Sequence, residues 1–294
     1  LMKPTTGAVM LKKIFLTALL MLMTMVGAAD AQDRKPVFHV MNLEGVITAP
    51  SAKYVAERLE EAKQAGAEGL IILMDTPGGL DTAMRDIAKS ILNAPLPVIV
   101  YVYPSGARAA SAGVIIAQAA HIAAMAPGTN IGAAHPVAIG IGGQAEMDKN
   151  MSKKVENDAA AYARSIAKIR GRSEEWVEKA VRKSESITAD EALKLKVIDI
   201  VAPDIEKLLA AIDQREVTVS GKTRKISAAN AVTQSKKMGT RQGILSAISN
   251  PNIAYLLLLI GLAGLYFEFS TPGAILPGVI GGISLLLAFF GLST

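Results

Sequence analysis

The sequence contains no cysteine, which removes thiol nucleophiles and thiolate metal sites. It says little about compartment, because a chain with a large core has no need of disulfides. Histidine is scarce: the three present, His39, His121 and His135, do not stand at the His-Glu-x-x-His spacing of a helical zinc site. No metal or organic cofactor is expected. Aromatic residues make up only 4% of a chain that is 51% hydrophobic. The basic-plus-aromatic interleaving used to bind nucleic acid is therefore missing, and no nucleic-acid partner is expected. Charge is scarce locally as well, since Glu268 is the only charged residue between Arg241 and Thr294.

A mean hydropathy of +0.34 is too apolar for an ordinary soluble enzyme, and the excess sits at the two ends. Lys12 and Lys13 precede the uncharged run Ile14 to Val26, and Ala29-Asp30-Ala31 supplies small residues at its exit. A positive start, a short apolar stretch and a small-residue exit predict a secretory signal peptide over 1–31. The run is short for a permanent span. Leu1 is an unusual first residue, and Met10 would open a compact signal. At the other end, Ile253 to Phe267 and Gly273 to Leu292 are two neutral runs, each with length enough to cross a bilayer. Ser270-Thr271-Pro272-Gly273 between them reads as a tight turn. A transmembrane hairpin over 251–294 is the expectation. Two buried core helices fit less well, because nothing amphipathic accompanies them to cover their other faces.

The formal charge of +5 is concentrated between Ile205 and Arg241, where eight basic residues face three acids. This predicts a solvated basic stalk over 205–250, with attraction to anionic headgroups as a secondary role. Basic flanks usually stay inside a cell, but long translocated domains largely escape that bias.

Between these ends the chain alternates. Val37 to Val46, Leu70 to Met74, Pro97 to Tyr103 and His121 to Met125 read as strands. Ser51 to Ala65, Leu80 to Leu92 and Ser111 to Ala119 read as helices. Further helices are expected over Lys153 to Ile169, Glu174 to Lys183 and Ala189 to Leu195, and a small hairpin over Thr218 to Lys225. Strands alternating with helices predict an α/β fold over 32–204.

Two stretches could carry chemistry. Asp75-Thr76-Pro77-Gly78-Gly79 lies between a buried strand and a helix. Paired glycines let the backbone approach a ligand and present N–H groups to developing negative charge, although a plain strand-to-helix turn explains Pro-Gly-Gly equally well. Gly106-Ala107-Arg108-Ala109-Ala110-Ser111-Ala112-Gly113 places a sterically open serine at the start of an apolar helix. On composition alone, Ser111 is more simply a helix cap.

The two stretches together, followed by Met125-Ala-Pro-Gly-Thr-Asn-Ile-Gly132, resemble the NfeD-like, ClpP-class membrane proteases, the stomatin operon partner proteins. Gly264-Leu-Tyr-Phe-Glu-Phe-Ser-Thr-Pro-Gly273 looks like that family's first membrane hairpin. The resemblance covers nearly everything after residue 35. It implies a ClpP/crotonase-like spiral of ββα units followed by a transmembrane α-helical hairpin. It also implies a serine endopeptidase in the cell membrane, its protease domain extracytoplasmic and its assembly homo-oligomeric. The implied substrates are apolar peptide segments, with a stomatin-like membrane protein as substrate or partner. By resemblance, Ser111 is the nucleophile and Gly78 or Gly79 with Ala112 supplies the oxyanion N–H groups. The family pairs serine with a lysine, which falls here on Lys154, with Lys153 beside it. An amine deprotonates serine only if its pKa falls from about 10.4 toward neutrality, and an adjacent lysine helps that shift. A solvated surface lysine is the competing reading of Lys154. His135 resembles the catalytic histidine segment of soluble ClpP and needs less tuning to act as base. Lys154 is preferred because membrane-bound relatives do without this histidine, which then lines the substrate groove. His39 and His121 read as structural.

Two other classes compete. A crotonase-type acyl-CoA enzyme uses the same kind of oxyanion hole without a serine nucleophile, but a signal peptide argues against CoA chemistry. A catalytically dispensable scaffold partnering stomatin-like proteins is the non-enzymatic alternative. Full-length relatives continue into further membrane helices and a small β-barrel of OB type, which are not present after the two runs here.

Overall fold

A computed structural model describes residues 35–140, 143–145, 148–235, 239–270 and 275–293. Contacts divide the chain into Leu1–Pro36 and Val37–Thr294, and the second unit carries the fold. The segment expected as a signal peptide and the turn residues 271–274 lie outside the described residues.

β1 (Val37–Glu44) is followed by α1 (Ala49–Gln64), β2 (Gly69–Asp75), α2 (Asp81–Leu92) and β3 (Val98–Val102). Then come a three-residue β4 (Arg108–Ala110), α3 (Ala112–Ala119), β5 (Ile122–Met125) and β6 (Asn130–Gly132). A short hairpin, β7 (Ala138–Gly140) and β8 (Gly143–Ala145), leads to α4 (Lys149–Ile169), α5 (Glu174–Arg182), β9 (Ser186–Thr188), α6 (Ala189–Lys194) and β10 (Ile200–Val201). The remainder is α7 (Ile205–Ile212), β11 (Glu216–Val219), β12 (Lys222–Lys225), β13 (Val232–Ser235), α8 (Thr240–Ile248), α9 (Pro251–Ser270) and α10 (Ile275–Ser293).

The β-branched runs form a six-stranded sheet in the order β10-β5-β3-β2-β1-β13, with every pairing parallel. Parallel strands need both faces covered, which is why they read as continuous apolar runs. The pleat divides them. Met41, Ile72, Met74, Val100 and Val102 face a core shared with α1 to α5, while Phe38, Ile71, Ile99, Tyr101 and Ile122 face a second core.

That second core corrects the expectation for 205–250. Its outer layer is α7, through Leu208, Leu209 and Ile212, together with Val217, Val219 and Ile226. β13 then extends the sheet beside β1. A solvated stalk starting at residue 205 would leave Ile99 and Tyr101 facing water. The basic residues of this stretch mislead because they lie on the outer strand of a hairpin whose other strand is buried on one side: β11, with Val217 and Val219 inward, pairs antiparallel with β12, which carries Lys222, Arg224 and Lys225.

α9 is an apolar span over Asn252–Ser270, and α10 is apolar over the shorter stretch Leu276–Leu292. Among the described residues, one helix is therefore long and apolar enough to cross a membrane by length and composition, where the sequence predicts two. The helices lie close because glycines face each other: a Cβ on Gly264 would sit 2.7 Å from Gly281 Cα. Large side chains such as Leu259, Phe269, Leu276 and Leu286 point outward.

α3 is held at its C-terminal end by cations. Arg170 donates to Ala119 O, and Arg172 donates to Ala117 O and Gln118 O while pairing with Asp199. Cations there satisfy orphan carbonyls and oppose the helix dipole. His121, beside them, accepts from Val98 N–H through Nδ1 at 3.2 Å. Burial first, and then the charges of Arg170 and Arg172, pull its pKa down to about 3.

The unfolded chain therefore binds a proton at His121 near pH 6.5 that the folded chain refuses, so this group favours unfolding as pH falls from 6.5 toward 3. Roughly 2 kcal/mol of stability should be lost between pH 6.5 and pH 5 on this account. Thermal unfolding across that range should show a flatter pH dependence in His121→Gln, which keeps an acceptor for Val98 N–H.

Candidate active site

The three sequence motifs are joined by backbone hydrogen bonds. Thr76 N–H donates to Arg108 O and Ala110 N–H donates to Thr76 O, bridging Thr76 to Ala109. Asp75 adds a side-chain acceptor for Arg108 N–H at 3.0 Å. β4 pairs in parallel with β6, aligning Ala110 with Gly132, and β6 pairs antiparallel with β9. Ser111 N–H then donates to Gly132 O at 3.0 Å. Two of the three motifs supply strands β4 and β6 of one small sheet, the first joins it through the bridge from Thr76 to Ala109, and Ser111 follows β4 directly.

Ser111 sits at φ 52 and ψ −112, between β4 and α3. Positive φ costs a non-glycine residue of order 1–3 kcal/mol and persists only where the surroundings over-determine it. Ser111 occupies the N-cap position of α3, yet its side chain makes no capping hydrogen bond. The hydroxyl is thus not spent on the helix, and the simple cap reading fails. The residue is half-buried, at the edge of a cavity rather than within the core.

The glycine pair divides its work. Gly78, at φ +117, lies so close to Ser111 that a Cβ there would be 2.6 Å from Ser111 Cβ and 3.1 Å from Oγ. Its N–H, expected as an oxyanion donor, is taken by Thr76 Oγ1 at 3.0 Å, while that hydroxyl donates to Gly45 O at 2.7 Å. Gly79 N–H makes no hydrogen bond among the described residues. Ala112 N–H, at the first position of α3, has no carbonyl one turn behind it. Gly79 and Ala112 are therefore the available donors, and Gly78 supplies the close approach.

Ser111, Gly78, Gly79, Ala112 and Lys154 line one cavity of about 1030 Å3. Lys154 lies on α4 and is exposed; its neighbour Lys153 is also exposed and is not among the lining residues. His135 takes a different course. Its Nδ1–H donates to Val181 O at 3.0 Å, and the adjacent Ala134, Pro136 and Val137 line the cavity in its place. A ring anchored to a backbone carbonyl is a structural feature of the wall, which departs from the expected groove-lining histidine.

Sequence reading missed two parts of the wall. Arg85 on α2 bonds Asp81 at 2.8 Å and Asp158 of α4, and stacks over Tyr162 with 4.3 Å to the ring centroid. These residues lie far apart in sequence, and charged helix residues ordinarily read as solvated faces. Asn250, Asn252 and Tyr255, at the start of α9, also line the cavity, and no local pattern indicates that.

The parallel sheet, the small β4-β6-β9 sheet and the serine at their junction define a ClpP-like α/β protein. Residues 37–222 match the NfeD1b N-terminal domain and residues 252–294 match the NfeD integral membrane domain. The chain belongs to the NfeD family.

It is 36% identical over 275 residues to the membrane-bound protease PH1510 of Pyrococcus horikoshii, covering 93% of this chain and 62% of that protein. It is 30% identical over 273 residues to the membrane protein NfeD1b of Bacillus subtilis, covering 89% and 57%. The chain thus spans about 60% of the length of these two relatives. Two solved structures are similar as well. One is a lysine-to-alanine mutant of the 1510-N membrane-bound stomatin-specific protease in complex with a substrate peptide, with 35% identity and a TM-score of 0.68 over 73% of this chain and 98% of that one. The other is a serine-to-alanine mutant of the same protease, with 35% identity and a TM-score of 0.66 over 70% and 100%.

The second glycine provides a structural check. A Cβ on Gly79 would lie 2.1 Å from Ile47 O and 2.5 Å from Ile47 N, both backbone atoms that cannot swing aside. Gly79→Ala should cost about 1–3 kcal/mol as an overpacking change, seen as a lowered midpoint in thermal unfolding.

Proposed function

We propose that this chain is a membrane-anchored serine endopeptidase in which Ser111 is the nucleophile and Lys154 the general base. The observation that carries the reading is the strained Ser111, with its hydroxyl left unused by α3, sharing one cavity with Lys154. Ser111 Oγ attacks the scissile carbonyl while the neutral Lys154 amine accepts its proton. The oxyanion that forms receives hydrogen bonds from Gly79 N–H and Ala112 N–H, donors fixed in place before reaction. Lys154 then returns the proton to the leaving amine, and water, deprotonated in the same way, releases the acyl group. No metal or organic cofactor enters the scheme.

The lysine and serine substitutions in the solved stomatin-specific relatives support this choice of pair. The same relatives support a peptide segment of a stomatin-like membrane protein as the substrate, and the apolar walls of the cavity favour an apolar one. In this reading the catalytic body runs through β13 and 251–294 anchors it. A signal peptide over 1–31 would place the body outside the cytoplasm, and the resemblance implies homo-oligomeric assembly.

Ser111→Ala should abolish both apolar-peptide cleavage and labelling by a fluorophosphonate probe; retained cleavage would sink the assignment. Lys154→Ala should lower kcat by roughly 10²–10⁴-fold, the range ascribed to a general base. His135→Ala should stay active, since His135 is not among the residues that line the cavity with Ser111. A dead His135→Ala beside an acylating Lys154→Ala, both folded, would move the base to His135.

A further inference from the structure

The geometry points to the membrane hairpin as part of the substrate site, with Tyr255 as a specificity-determining residue that receives the juxtamembrane apolar segment of a membrane-anchored substrate. This inference rests on the protease reading above. Its basis is the cavity wall: Asn250, Asn252 and Tyr255 line the same cavity as Ser111 and Lys154.

That corner of the chain is built rather than incidental. Asn250 caps α9, its side chain accepting from Asn252 N–H at 3.0 Å and its carbonyl accepting from Ala254 N–H at 2.9 Å. Ala254 is fully buried. α10 returns to the same place, where a Cβ on Gly291 would lie 2.3 Å from Ile248 O and 3.2 Å from Ala254 Cβ. The start of the hairpin is therefore clamped by its own end.

The position of this corner along the span sets the height of the cavity. The apolar span begins at Asn252, and Tyr255 lies three residues further, which is about 4.5 Å along a helix. Tyrosine at such a depth belongs to the interfacial belt, its ring at the headgroup level. The cavity that holds Ser111 thus opens at the bilayer surface. Its other walls include Met84, Ile115, Val137 and Val155, of which Val137 is 52% exposed. Apolar side chains left open beside a reactive serine suit an apolar occupant. A segment just outside its own membrane span reaches this cavity without leaving the surface, and Tyr255 meets it from the membrane side.

The test uses the full chain in phosphatidylcholine nanodiscs, with an apolar peptide of about ten residues as substrate. Tyr255→Ala should raise KM roughly five- to tenfold while kcat stays within about twofold, the signature of lost uniform binding. Tyr255→Phe should restore KM. Leu259→Ala, one turn further into the span, 64% exposed and not among the residues that line the cavity, should leave KM unchanged. Fluorophosphonate labelling of Ser111 should proceed at the wild-type rate in all three, since a small probe does not span the cavity. An unchanged KM in Tyr255→Ala, or an equal rise in Leu259→Ala, overturns the inference while leaving the protease reading intact. A wild-type chain that neither labels nor cleaves overturns the protease reading, and this inference with it.

Discussion

Everything at the candidate site depends on holding Ser111 at φ 52 and ψ −112. An isolated serine would relax to an ordinary conformation, and the hydroxyl would turn toward the orphan N–H groups of the following helix. Relaxation is blocked from two sides. On one, Ser111 N–H is committed to Gly132 O, and the preceding Ala110 is paired to both Thr76 and Gly132. On the other, Gly78 lies against the Ser111 side chain so closely that no larger residue fits. The conformation is over-determined by backbone hydrogen bonds, which no rotamer change can release.

That requirement explains why three motifs far apart in sequence belong together. Asp75 to Gly79 provides the strand edge on which β4 rests, Arg108 to Ala110 is β4 itself, and Asn130 to Gly132 is the partner on its far side. The demand continues to the far end of α3. Arg170 and Arg172 bind the carbonyls of Ala117 to Ala119, and Asp199 binds both Arg172 and Ala123 N–H at the start of β5. α3 is fixed at both ends, by strand pairing at Ser111 and by cations at its C-terminus. Burying Arg172 to 6% exposure would be costly were its two terminal amino groups not bonded to carbonyls and a carboxylate; its Nε has no partner among the described residues.

The parallel sheet was legible because each central strand is buried on both faces and reads as an unbroken β-branched run, as in Val98–Val102. Strands of three residues, β4, β6 and β9, carry no periodicity, and the residues of β4 and β6 registered only as motifs. Ser111 itself illustrates the limit. Its residue type and helix-start position favour a cap, and the evidence against capping is a backbone angle that no local pattern encodes. α7 and β13 were lost for another reason. Their stretch is rich in lysine and arginine, and burial there follows from the uncovered face of the sheet. The wall formed by Asn250, Asn252 and Tyr255 was illegible for a related reason, since it exists only where the hairpin meets the α/β body.

In the proposed reading the site is also unequal in how its parts are supported. The nucleophile and the oxyanion donors are fixed by backbone, whereas Lys154 stands on the first half of α4, where no residue from Lys149 to Ala159 is buried; packing into the core begins at Ala160. Side-chain bonds hold that overhang: Asp148 caps it, Arg182 binds Glu156 and Asn157, and Arg85 binds Asp158. A peptide filling the cavity displaces the water around the Lys154 amine. Substrate binding then does two things at once, filling the apolar walls and excluding water from the space between Ser111 and Lys154. A base set on a solvated overhang beside a rigid nucleophile keeps hydrolysis coupled to occupancy of the cavity. The placement of Tyr255 follows the same logic, because occupancy is judged at the membrane side of the wall.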